Sequence, residues 1–257
     1  MTNLFDLTGK IALVTGASGG LGAQTAKALA GQGADIAICA RRVEKLEQIK
    51  KEIEDIGARC FVQACDVLKV EDIQRMVKNV ADHYGRIDIL VNNAGVADEA
   101  PAEELTTEAW RHVLGTNLDA AFYVAREVGK LMIQNGYGKI INMGSIHSEV
   151  CIDPSSWPVA AYCASKGGVK MLTKALAVEW ADKGITVNAI GPSHFRSEMT
   201  GELMETPDFD RVVKTFCPMG RPGQTGELDG AVIYFASDAS SYTTGQLLCI
   251  DGGWTAV

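Results

Sequence analysis

Residues 10–22 read KIALVTGASGGLG, and this stretch decides the fold. Residues 10–15 form a short, almost continuous apolar segment, which is typical of a strand buried on both faces of a parallel sheet. A glycine-rich turn and a helical pattern follow directly. This order suits a phosphate-binding turn, because glycines let the backbone approach a pyrophosphate and the first N–H groups of the helix face the anion. Although the spacing is not Gly-x-Gly-x-x-Gly, we predict a cofactor-binding turn rather than a merely flexible one, formed by Gly16, Ser18, Gly20, Leu21 and Gly22.

The second predicted strand, Asp35–Ala40, is followed by Arg41 and Arg42. In a dinucleotide fold, an acidic residue at this point binds the ribose 2′-hydroxyl of NAD, whereas arginine accommodates the 2′-phosphate of NADP. The sequence therefore favours NADP(H), with NAD(H) possible. The alternative is that both arginines merely open the charged helix predicted at 43–56.

Strands and helices alternate along the rest of the chain. This pattern predicts an α/β protein with a single-domain, Rossmann-type, doubly wound parallel sheet and helices on both faces, spanning residues 1–257. Residues 193–226 read as an irregular stretch beyond a strand end, and we interpret them as a substrate lid. Further strands are predicted at 59–64, 87–91, 139–143, 185–190 and 246–250, and further helices at 70–84, 107–134 (irregular near 115–117), 160–183 and 227–236.

Composition limits the class of protein. The 257 residues are 47% apolar and 22% charged, with a net charge of −8, which argues against a general nucleic-acid surface. No apolar run approaches the roughly 18 residues that a membrane span needs, and the start resembles no secretory signal, so we expect a cytoplasmic protein without membrane contact. Seven cysteines without a Cys-x-x-Cys pair, and four scattered histidines, predict reduced thiols and no metal site.

Polar and small residues follow several predicted strands, where parallel sheets bind their ligands. Asp66 and Val67 follow the third strand, where Asp66 either meets an adenine edge or caps the next turn. Asn93, Ala94 and Gly95 follow the fourth strand, and Ser145 follows the fifth. Asn117 interrupts a helical pattern, which marks either a break or a functional position, because its amide competes for backbone hydrogen bonds.

Tyr162 and Lys166 lie four residues apart at the start of a predicted helix. Side chains at this spacing share one helix face. A free phenol titrates near pH ~10, and a neighbouring cation favours the phenolate and lowers its pKa. The pair is thus a candidate general acid and base, although the same spacing is common on solvated helices.

The ordered set of motifs resembles the short-chain dehydrogenase/reductase family from about Leu7 to the end: TGASGGLG at 15–22, NNAG at 92–95, Asn117, Ser145 and Tyr162-x-x-x-Lys166. The resemblance implies an NAD(P)-dependent oxidoreductase that is usually a homotetramer, or a homodimer. It further implies that Ser145 orients the substrate oxygen, Tyr162 is the acid/base, Lys166 lowers the pKa of Tyr162 and binds ribose, and Asn117 holds a relay water. Pro192 and Ser197 would contact the nicotinamide side.

Two departures from the family pattern concern the substrate side. Ser193 stands where glycine is usual, and the spacing from Ser145 to Tyr162 is a few residues long, which should reshape the pocket around Trp157. The residues predicted to contact substrate are His147, Trp157, His194 and Arg196.

Within the family, the sequence looks most like gluconate 5-dehydrogenase and related sugar-acid or polyol dehydrogenases. The expected reaction interconverts a secondary alcohol and a ketone on such a small polar substrate. The alternatives are a reductase of 3-oxoacyl thioesters, or of bulky carbonyl compounds such as steroids. A nucleotide-sensing scaffold without catalysis is disfavoured by the intact Asn117, Ser145, Tyr162 and Lys166.

Overall fold

The computed structural model describes residues 3–151, 158–196, 201 and 203–257. Seven parallel strands form one sheet in the order β3-β2-β1-β4-β5-β6-β7. Strand order reverses direction between β1 and β4, and ligands bind at such a switch point outside the carboxyl ends of the strands. The strands are β1 (Ile11–Thr15), β2 (Asp35–Ala40), β3 (Cys60–Ala64), β4 (Ile89–Asn92), β5 (Gly138–Met143), β6 (Ile185–Pro192) and β7 (Leu247–Ile250).

Helices cover both faces of the sheet, as predicted. The main helices are α1 (Gly20–Gly31), α2 (Val43–Asp55), α3 (Val70–Tyr84), α4 (Thr107–Leu114), α5 (Ala120–Asn135), α6 (Ala160–Trp180), α7 (Pro207–Phe216) and α8 (Asp229–Ala236). Side chains of α1, α2 and α8 pack with alternate strand residues such as Val14 into one buried cluster. Side chains of α3, α5 and α6 pack with the intervening residues, such as Leu13, on the other face. This alternation follows from the two-residue period of strand side chains.

The predicted irregularity near residue 117 is a five-residue π-helix, Gly115–Asp119, between α4 and α5. Single π turns inside α-helices often mark functional sites, because they shift the hydrogen-bond ladder by one residue.

The stretch at 193–226 is not irregular throughout, because it contains α7. Thr206 caps this helix, accepting a hydrogen bond from the N–H of Phe209 at 3.2 Å, and Pro207 occupies the first turn. Phe209, Val212 and Val213 form its buried face. The sequence-based interpretation missed this short amphipathic pattern among neighbouring Met, Phe and Pro residues.

Candidate active site

The loop after β1 and the loop after β4 hold each other in place. The Thr15 Oγ1 accepts hydrogen bonds from the N–H groups of Asn93 (3.0 Å) and Ala94 (3.1 Å). The amide of Asn93 donates back to the carbonyls of Thr15 (3.0 Å) and Gly16 (3.1 Å). Gly16 has φ 66°, and a Cβ added to it would lie 2.8 Å from the Cα of Ala94. Glycine is therefore required at Gly16 by both backbone conformation and close packing.

A cavity of about 390 Å³ runs along this edge of the sheet. It brings together every predicted cofactor residue that the structure describes; Ser197 lies outside the described residues. The predicted residues on its wall are Gly16, Ser18, Gly20, Leu21, Gly22, Arg41, Arg42, Asp66, Val67, Asn93, Ala94, Gly95, Tyr162, Lys166 and Pro192. Ser145 lines it as well.

The chemistry of the cavity wall fits a nicotinamide dinucleotide. The residue before α1, Gly19, has no side chain to cap the first-turn N–H groups, which suit a pyrophosphate. Arg42 donates from Nη2 to Ser18 Oγ at 3.0 Å, so a cation and a hydroxyl meet beside the glycine turn. Thr116 also lines the cavity, and its buried Oγ1 makes no hydrogen bond within the described part of the chain.

Asp66 caps the turn after β3, the second of its two predicted roles, while its contact with an adenine edge stays a prediction. Its Oδ1 accepts a hydrogen bond from the N–H of Leu68 at 3.2 Å, which shapes the turn after β3, and the residue also lines the cavity. Sequence reasoning did not find His112, Thr116 or Phe195 on the cavity wall. No motif marks these residues, since they reach the cavity only through the packing of α4, the π-helix and the loop after β6.

Ser145 lies at the carboxyl end of β5, and its oxygen accepts a hydrogen bond from the backbone N–H of His147 at 3.2 Å. A hydroxyl has one proton and two lone pairs. This contact uses a lone pair, and the hydroxyl also forms a hydrogen bond with Tyr162 that opposes the rise in the pKa of that phenol.

Tyr162 and Lys166 lie in the first two turns of α6, as predicted. Lys166 is 4% exposed, and its Nζ donates to the carbonyl of Met143 at 2.7 Å. Burial lowers the pKa of Lys166 to about 8.

The expected lowering of the Tyr162 pKa is not found. Burial raises the pKa of this phenol, and hydrogen bonding with Ser145 opposes the rise only in part. The Lys166 Nζ is 5.5 Å from the centre of the Tyr162 ring and is bound to the Met143 carbonyl. Desolvation is therefore the dominant effect, and the phenol is protonated at neutral pH.

Asn117 is 2% exposed and does not line the cavity, and three hydrogen bonds hold its side chain. Its Oδ1 accepts from the N–H of Val96 at 2.8 Å, and its Nδ2 donates to the Val96 carbonyl (2.9 Å) and to Ser165 Oγ (3.0 Å). Asn117 thus ties the loop after β4 to helix α6 through the π turn.

The four predicted substrate residues have different surroundings. The His147 ring lies edge-on to Tyr162, with 5.7 Å between ring centres. The His194 ring packs against Phe209 and Trp254 in an aromatic cluster, and burial lowers its pKa to about 4. Arg196 is exposed and pairs with Glu205 at 3.3 Å.

None of His147, His194 and Arg196 is on the cavity wall, where Ser193 and Phe195 lie instead. Trp157 is outside the described residues. Within those residues, no three His, Cys, Asp or Glu side chains could together hold a metal ion, and no helix is long and apolar enough to cross a membrane.

Comparisons with known proteins identify the class. Residues 16–255 match the family model adh_short_C2, described as Enoyl-(Acyl carrier protein) reductase. The chain is 39% identical to gluconate 5-dehydrogenase of Gluconobacter oxydans, with 98% of this chain and 97% of that protein covered. It is 42% identical to D-threitol dehydrogenase of Mycolicibacterium smegmatis, with 98% and 95% covered.

A solved structure gives the same result. The crystal structure of a gluconate 5-dehydrogenase from Burkholderia cenocepacia J2315, in complex with NADP and tartrate, matches with a TM-score of 0.94 at 37% identity, covering 99% of this chain and 98% of that one. The chain belongs to the short-chain dehydrogenase/reductase family, which confirms the resemblance seen in its motifs. It is an oxidoreductase of CH–OH groups that uses a nicotinamide cofactor.

Proposed function

We propose that the protein oxidises a secondary alcohol of a sugar acid or polyol to the ketone, or reduces that ketone, with NADP(H) as the favoured cofactor. The observation that carries this proposal is that Ser145, Tyr162 and Lys166 line the same cavity as the glycine turn, Arg41 and Arg42, which suit a dinucleotide. The named activities of the relatives, on gluconate and D-threitol, support the substrate class.

The bound cofactor supplies or accepts the hydride. Ser145 donates a hydrogen bond to the substrate oxygen, in place of its bond with Tyr162, and stabilises the charge that develops there. Tyr162 gives that oxygen a proton during ketone reduction and removes one during alcohol oxidation. Its raised pKa suits the acid role at neutral pH, whereas oxidation requires the phenolate.

Lys166 and Asn117 act around the acid/base. The buried ammonium of Lys166 favours the phenolate when the proton leaves, and binds the cofactor ribose. Asn117 holds the surrounding backbone, because its side-chain groups already bond to Val96 and Ser165. Asn117 would also hold the relay water.

The preference for NADP(H) is assigned to Arg41 and Arg42, both on the cavity wall. Arg42 lies beside the Ser18 hydroxyl, and a 2′-phosphate offers oxygens that both groups can bind. NAD(H) lacks that phosphate and would leave the two guanidinium groups unmatched.

The chain acts as one domain over residues 1–257, with 193–226 as a substrate lid, and it forms a homotetramer in the cytoplasm. Support for assembly comes from exposed apolar residues at i, i+4 and i+7 of helix α6: Met171, Ala175 and Val178, of which Val178 is 82% exposed. A second surface is the unpaired edge of β7. All seven cysteines are free thiols, which fits a reducing compartment.

A substrate panel tests the function. D-gluconate and D-threitol are assayed with NADP⁺ and NAD⁺, and 5-ketogluconate with NADPH and NADH; acetoacetyl thioesters and ketosteroids represent the alternatives. The proposal expects the highest kcat/KM on a sugar acid or polyol. Turnover of thioesters or steroids without turnover of any sugar acid, polyol or keto-sugar would overturn it.

A further inference from the structure

The side chain of His147 lies next to the acid/base but has no part in the roles assigned above. Its ring is edge-on to Tyr162, with ring centres 5.7 Å apart and planes at 83°. Its backbone N–H binds Ser145 Oγ at 3.2 Å. His147 is therefore not on the cavity wall itself, but it contacts both wall residues that would flank the reacting oxygen.

The hydrogen bonds of the ring fix its tautomer. Nδ1 lies 3.2 Å from the carbonyl oxygen of Val150. A carbonyl only accepts, so Nδ1 must carry the proton. Burial also lowers the pKa of His147, and the ring is neutral at neutral pH. Nε2 is consequently a lone-pair acceptor, and it makes no hydrogen bond to any residue that the structure describes.

The charges around this position do not favour an anion. His194 interacts electrostatically with His147, but its own pKa of about 4 leaves it neutral as well. The guanidinium of Arg196 is paired with Glu205. The group that His147 Nε2 suits is therefore an uncharged hydrogen-bond donor, such as a hydroxyl, rather than a carboxylate.

We propose that Nε2 of His147 accepts a hydrogen bond from a substrate hydroxyl on the carbon next to the reacting carbon. The enzyme would thereby select vicinal diols, and the corresponding α-hydroxy ketones, over simple secondary alcohols. This inference rests on the proposed function, since sugar acids and polyols carry such a neighbouring hydroxyl. It adds that the hydroxyl, and not the carboxylate of a sugar acid, is what this side chain recognises.

A purely structural role, in which His147 only braces the turn through Val150, makes the opposite prediction for two variants. His147→Asn keeps a donor near the position of Nδ1 and can brace the turn, but it lacks an acceptor at the position of Nε2. His147→Gln carries an amide oxygen close to the position of Nε2, but it has no donor at the position of Nδ1 and so loses the hydrogen bond to the Val150 carbonyl.

The measured quantity is a selectivity ratio: kcat/KM for D-threitol divided by kcat/KM for butan-2-ol, which lacks the neighbouring hydroxyl. Where butan-2-ol turnover falls below detection, its inhibition constant against threitol replaces kcat/KM. The ratio should fall about tenfold in His147→Asn, as expected for losing one neutral hydrogen bond of roughly 1.4 kcal/mol. It should fall less in His147→Gln. His83→Asn is the control for the same substitution at a distant site, since the His83 ring stacks on Phe61 with ring centres 4.6 Å apart.

The outcomes separate this inference from the proposed function. An unchanged ratio in His147→Asn, or a larger fall in His147→Gln than in His147→Asn, overturns the role of Nε2 and leaves the proposed function standing. A wild-type enzyme without activity on any polyol or sugar acid overturns the proposed function, and this inference with it.

Discussion

Replacing Lys166 with methionine should make the protein more stable while abolishing its activity. Lys166 is 4% exposed, and its pKa of about 8 lies below the ordinary 10.5 because of burial. At 1.36 kcal/mol per pKa unit, the fold pays about 3 kcal/mol to bury the charged form. Methionine avoids that penalty, but it leaves the Met143 carbonyl without its donor, at roughly 1–2 kcal/mol. The expected net gain at neutral pH is about 1–2 kcal/mol.

The pH dependence gives this prediction its sharpest test. Since the folded-state pKa is below the unfolded-state value, the unfolded chain binds more protons between about pH 8 and 10.5. The penalty is fully present below that interval and disappears as the pH rises through it. The wild type should therefore gain stability across this interval relative to Lys166→Met, and the advantage of the variant should close.

The assay is urea unfolding followed by tryptophan fluorescence, at one protein concentration, because assembly would shift the apparent stability. Lys78→Met is the control: Lys78 is exposed and pairs with Asp82 on the surface, where such pairs contribute little. The reasoning would be refuted if Lys166→Met were less stable than the wild type at neutral pH. It would also be refuted if the difference in free energy of unfolding between the two proteins did not change with pH.

Three further predictions concern cofactor, pH and assembly. In Arg41→Ala and Arg42→Ala, the Kd for NADPH should rise about tenfold while the Kd for NADH changes little, because charge-assisted hydrogen bonds to a phosphate are lost. Both Kd values are measured by fluorescence titration. An equal rise in Kd for the two cofactors would contradict the assignment. Because burial raises the pKa of Tyr162, kcat/KM for oxidation should increase with pH, and kcat/KM for reduction should decrease. Tyr162→Phe should lower both values about 10³-fold and retain NADPH binding. An oxidation rate that does not depend on pH would contradict the phenolate as base. Val178→Glu should split the oligomer, measured by analytical ultracentrifugation, whereas an unchanged mass would exclude this face of α6 from the interface.

The parts of the site that the sequence predicted well are those set by local order. The glycine turn, Asn93 and Ser145 each follow a strand directly, so knowing where a strand ends also gives their position on the sheet edge. The four-residue spacing of Tyr162 and Lys166 similarly gives a shared helix face. In these cases the chain itself, rather than the packing of distant segments, determines where the side chain lies.

The parts that the sequence did not predict depend on packing between distant segments. Thr116 reaches the cavity because the π-helix sets its direction, and Phe195 lines the wall where neighbouring residues His194 and Arg196 do not. The direction of the Tyr162 pKa shift is a similar case. Proximity in sequence indicated a nearby cation, whereas the net effect depended on desolvation, which only the three-dimensional structure gives.

The predicted and the unpredicted parts of the site correspond to its cofactor half and its substrate half, which the fold holds in different ways. The cofactor half stands on strand ends held by the ladder of the sheet, and on glycines such as Gly16 that tolerate no added side chain. The proposed substrate half includes described residues that follow β5 and β6, such as His147 and Phe195. His147 has two separable contacts. Its backbone N–H binds Ser145, and its ring lies beside Tyr162. Changing its side chain should therefore alter which substrates are chosen, and leave the backbone contact that orients Ser145 in place.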